Sequence, residues 1–95
     1  MNMILQQRFT DGELEQLIEE ATIYMCACPG QVAVQLRSLR ELFRYQNRCE
    51  ASPEHDPRVH RAIAESTQQA HAMMEDCMDR VLEIEGWDRR THQNA

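Results

Sequence analysis

Lysine is absent from this chain: all ten basic residues are arginine. Arginine alone would suit bidentate recognition of phosphate. Sixteen acidic residues nevertheless leave a net charge of −6, which argues against a general affinity for nucleic acid or anionic membranes. Codon bias towards arginine accounts for the missing lysine more simply. Aromatic residues are scarce at 5%, so a core must come from Leu, Ile, Val, Met and Ala. Three glycines and three prolines are too few for a turn-rich sheet protein. No apolar run approaches the roughly 20 residues of a membrane span. The opening MNMILQQRF lacks the charged leader and long apolar stretch of a secretory signal. A cytosolic location is therefore expected, where cysteines serve as reduced thiols or metal ligands rather than as a disulfide framework.

What the chain does have is helix-forming composition. Ninety-five residues, 42% hydrophobic and 27% charged, make one small soluble domain rich in Glu, Gln, Arg, Ala and Leu. The expected fold is all-α: a small antiparallel three-helix bundle with a long third helix, assembled as a homodimer. Residues 10–87 form its single domain, with an N-terminal segment over 1–9 and a frayed tail over 88–95.

Caps and stripes mark the helices. Thr10 and Glu13 have capping-box spacing, and Phe9 and Leu14 can staple the first helix, expected over about 11–27. Its inner face is Leu14, Leu17, Ile18, Ala21 and Met25. Pro29 ends it and opens the second helix, about 29–49, with Val32, Leu36, Leu39 and Phe43 as core stripe. Arg37, Arg40, Arg44 and Arg48 fall on the other side, where a solvated face paired with neighbouring acids explains them better than nucleic-acid binding does. Asp56 and Pro57 start the third helix, about 57–85, and Gly86 caps its end. This helix carries two adjacent seams. One is heptad-like: Val59, Ile63, Ser66, Ala70, Met73, Cys77 and Ile84. The other holds His60, Ala64, Thr67, His71, Met74 and Met78. Two seams suit a helix that touches two partners.

The cysteines offer a candidate site in the turn Cys26-Ala27-Cys28-Pro29. Counting at 1.5 Å per residue, a helix ascending from Pro57 brings Cys77 back to the level of that turn. A broken helix can splay Cys26 and Cys28 to one side, and a helix N-terminus favours the thiolate that binds soft metals. Cys26, Cys28 and Cys77 are thus the candidate ligands, with zinc as the expected metal if one binds. A closed zinc site wants a fourth ligand. His71 lies about 9 Å further along the third helix, an awkward reach. The plainer reading is a set of buried thiols, since Cys77 lies in a core seam and a lone C-x-C lacks paired C-x-x-C spacing. Cys49, His55 and His60 make a weaker cluster at the opposite pole, and His60 and His71 also fit as polar positions between helices.

No nucleophile with a base, no paired acids and no Gly-rich phosphate loop has recognisable spacing, so an enzyme is not indicated. Two functions remain. The leading one is a small cytosolic helical protein acting by self-association or by binding a protein partner. The alternative is a metal- or redox-responsive thiol module. Helix lengths favour the first: a third helix of about 44 Å outruns partners of about 24 and 32 Å. The overhang of Val81, Leu82, Ile84 and Trp87 would form an exposed patch that a second copy could cover.

Overall fold

In the computed structural model, residues 3–23, 27–49, 56–88 and 93–94 are described. They form three helices, α1 (Asp11–Ile23), α2 (Cys28–Cys49) and α3 (Pro57–Glu85). A two-residue bridge follows, in which β1 (Trp87–Asp88) pairs antiparallel with β2 (Gln93–Asn94). In it Trp87 pairs with Asn94 and Asp88 with Gln93; the rest of the tail expected to fray lies outside the described residues.

Local chemistry sets the helix ends. Thr10 Oγ1 accepts from the Glu13 amide at 3.0 Å, and Glu13 Oε1 accepts from the Thr10 amide at 2.9 Å. Phe9 and Leu14, the staple pair, are both fully buried. Asp56 caps α3 through a 2.9 Å bond from the Arg58 amide, and Arg58 also ion-pairs with it at 2.8 Å. Gly86 closes α3 at φ 73°, with its amide turned back to the Glu83 carbonyl at 3.2 Å. Glycine adopts that left-handed conformation without steric cost. Helix α2 starts one residue before Pro29, so Cys28 is its first residue, and the Ala27 carbonyl accepts from the Gln31 amide at 2.9 Å.

The core gathers Phe9, Leu14, Leu17 and Ala21 with Ala33 and Leu36 of α2 and Met78, Leu82 and Trp87 at the far end of the chain. Burying each large apolar side chain contributes about 1.5–3 kcal/mol. On α3 the working seam is the second one: His60, Ala64, Thr67, His71, Glu75, Met78 and Leu82 are buried. The heptad-like seam faces outward instead, with Val59, Met73 and Ile84 all more than half exposed.

The overhang is filled by the chain itself. Helix α1 has 13 residues, about 20 Å, and it ends where α2 begins. It therefore starts midway along the longer helices, not at their opposite pole, and runs beside the last turns of α3. Leu82 and Trp87 are 0% and 5% exposed there. Val81 is half-buried, and of the four expected interface residues only Ile84 is fully exposed. The length that α1 leaves uncovered is taken by residues 3–10, which run along α2 and α3 without helical structure. Asn47 Nδ2 donates to the Met3 carbonyl at 3.2 Å, and Gln68 Nε2 donates to the Ile4 carbonyl at 2.8 Å.

A buried polar clasp and an uncharged face: the candidate functional site

Two features stand out from ordinary helix packing, one polar and internal, the other apolar and external. The internal one sits where the N-terminal segment turns into α1. Arg40, assigned by its spacing to the solvated arginine face, is 1% exposed. It is four residues from Leu36 and three from Phe43, both buried, so it points inward with them. A guanidinium in that position needs every donor used. Its Nε donates to His71 Nε2 at 2.9 Å, Nη1 donates to Asp11 at 2.7 Å, and Nη2 donates to the Phe9 carbonyl at 2.6 Å and to Glu75 at 3.3 Å.

Glu75 completes the clasp. Its Oε2 also accepts from the amides of Arg8 and Phe9 at 2.8 and 3.1 Å. One carboxylate thus fixes two consecutive amides of the N-terminal segment, while Arg40 fixes the carbonyl beside them. Arg8 adds an outer layer, ion-paired with Asp76 at 2.6 Å and Asp79 at 3.1 Å. Because Arg40 donates into His71 Nε2, that ring is neutral with its proton on Nδ1. Burial is the main cause holding the His71 pKa below 6.5; nearby Arg40 and Arg8 lower it further, and Glu75 opposes them. Nδ1 has no hydrogen-bond partner, and Glu75 Oε1 lies 3.8 Å away. His60 is also a polar position between helices, with Nδ1 2.6 Å from Gln46 Oε1.

The remaining α2 arginines are exposed, and Arg37 and Arg44 are engaged with acids. Arg37 meets Glu15 at 3.3 Å, and Arg44 meets Asp11 at 3.5 Å and also pairs with Glu41. These groups line a depression of about 820 Å³ between α1 and α2, whose cations are already matched by carboxylates.

The external feature lies on the other side of α2 and α3. Gln31, Gln35, Ser38, Leu42 and Tyr45 form an exposed stripe along α2 at alternating three- and four-residue steps. Val59, Ile63, Ser66, Ala70, Met73 and Cys77 form the matching stripe on α3. Neither stripe contains a charge, in a chain whose residues are 27% charged. Between them runs a groove of about 420 Å³, walled by Leu39 and Leu42 on one side and by Ile63, Ser66, Thr67 and Ala70 on the other.

Comparison with family models, curated proteins and solved structures gave no match.

Of the candidate metal ligands, Cys28 is exposed, Cys77 is half-buried on the open stripe, and both are free thiols. Cys26 lies outside the described residues, as does His55 of the weaker cluster. Among the described residues no group of three His, Cys, Asp or Glu side chains is arranged to hold a metal ion. No helix among them is long and apolar enough to cross a membrane. The clasp residue absent from the sequence reading is Glu75, an acid spaced four residues after His71 and three before Met78 on the inner seam. Its signal was that spacing, with Arg40 in the equivalent position on the facing helix.

Proposed function

We propose that this chain is an assembly module of the cytosol, an antiparallel helical bundle that works by docking its uncharged α2–α3 face against another protein surface. The observation that carries this reading is the face itself. Leu42 is 40% exposed, Val59 54% and Met73 71%, on two parallel stripes from which every charge has been excluded. A continuous uncharged face with large exposed apolar side chains is the kind of surface that marks a protein contact. Replacing Leu42 and Met73 together by Glu places two charges in the face without touching the core. Native mass spectrometry of the chain purified from its own cells should then show an assembled species for the wild type and a lone chain for the double variant, with equal helicity by circular dichroism. A lone wild-type chain would refute the reading.

A thiol module is the second reading, and what favours it is the exposed free thiol of Cys28 in the first turn of α2. Mass-mapped alkylation of the folded protein should label Cys28 before Cys77. Earlier labelling of Cys77 would remove the support, and zinc in the same native spectra would strengthen it, with Cys26 as the natural second ligand.

A further inference from the structure

We infer that the occupant of the α2–α3 face is a second copy of this chain, docked with the two α3 helices antiparallel about a two-fold axis level with Gln68. This rests on the assembly reading and names its partner.

The shape of the chain comes first. Its radius of gyration is 15.3 Å, against about 12 Å for a compact domain of this length. Its accessible surface is 6264 Å², against about 5650 Å² for a compact monomer of this mass. The molecule is a rod, 51 × 19 × 19 Å, with one side bare. From Val59 to Cys77 that side is about 27 Å long. Multiplied by the 19 Å width, it offers roughly 500 Å² per copy. Two copies would bury about 1,000 Å², the threshold for a specific interface.

The order of residues along α3 points to self-pairing. About an axis at position 68, residue n faces residue 136 − n of the second copy. Small Ser66 then meets small Ala70, Ile63 meets Met73, and Val59 meets Cys77. The stripe reads nearly the same in size from either end, as an isologous antiparallel contact requires. Small residues at the axis let the helices approach closely, while Met73 from each copy fills the widening space beyond. Just outside the apolar stretch, Arg80 falls opposite Asp56 of the second copy, whose carboxylate caps α3 and pairs with Arg58 at 2.8 Å.

Disulfide trapping of Val59→Cys tests this directly. Within one chain positions 59 and 77 are about 27 Å apart on the same helix, so any bridge between them joins two chains. Oxidation with diamide, which takes up the two hydrogens released by the two thiols, should give a covalent dimer in minutes. Peptide mapping should place its bridge between position 59 and native Cys77, and adding Met73→Glu should cut the yield at least tenfold. A crosslink yield no higher than that of unsubstituted protein would overturn the inference. If native complexes then contain a different protein and still vanish on Leu42→Glu with Met73→Glu, the second copy is wrong and the assembly reading stands. If no complex of either kind exists, both fall.

Discussion

At the scale of single residues, the clasp of Arg40, Glu75 and His71 decides how the N-terminal segment is held. Removing Glu75 leaves the Arg8 and Phe9 amides without their acceptor and takes from buried Arg40 one of its two carboxylates, so Glu75→Leu should destabilise the fold by about 3–5 kcal/mol in urea denaturation. A loss below about 1 kcal/mol would show that water replaces the carboxylate. His71 gives the clasp a pH dependence whose sign follows from its lowered pKa. The folded chain holds the neutral ring, while the unfolded chain gains a proton as pH falls through 6.5. The stability this group contributes is thus complete above that value and is lost progressively below it, down to the folded pKa. Midpoints of denaturation should fall between pH 7.5 and 5.5, and His71→Gln should flatten the change. Arg40 was misplaced by the sequence reading because arginine is presumed solvated. The periodicity of Leu36, Arg40 and Phe43 already placed it inside, but its partners lie 31 and 35 residues away on another helix.

At the scale of elements, short-range chemistry was the most legible part. The Thr10–Glu13 box, the Asp56 cap and the Gly86 terminus all depend on residues within a few positions of one another, and all three are present. Less legible was which α3 seam packs inside, because both seams have helical spacing and the choice depends on what α1 and residues 3–10 cover. The level at which α1 begins was hard to read for a related reason. An isolated count of residues does not say at what level a short helix begins, and α1 begins midway. The packing of α1 on α2 supplies its own test. A Cβ built on Gly30 would lie 2.7 Å from the Ala21 Cβ, and neither atom can rotate away. Gly30→Ala must push the two helices apart and should cost about 1–3 kcal/mol. A thermal midpoint equal to the wild type would mean that the turn between them yields freely.

At the scale of the whole molecule, charge is distributed by side. Acids and arginines gather around α1, the N-terminal segment and the outer edges of α2 and α3, where Arg8 pairs with Asp76 and Asp79, Arg37 with Glu15 and Arg44 with Asp11. The opposite side carries apolar and uncharged polar groups only, along two stripes that neither α1 nor residues 3–10 reach. In the sequence this pattern is present as two seams on one helix, which suit a helix that touches two partners, whereas the expectation of self-association rests on unequal helix lengths. Of the expected interface residues Val81, Leu82, Ile84 and Trp87, Leu82 and Trp87 are buried in the single chain, and the uncharged side runs lower, from Val59 to Cys77. Sedimentation equilibrium over the micromolar range, on wild type and Met73→Glu in parallel, tests this account most directly. Met73 is 71% exposed in the single chain, so its replacement should leave the fold intact. Wild type should sediment as twice the chain mass and dissociate on dilution, and Met73→Glu should require at least tenfold higher concentration to do the same. A wild-type chain that stays monomeric at hundreds of micromolar, or a dimer unmoved by Met73→Glu, would contradict the account.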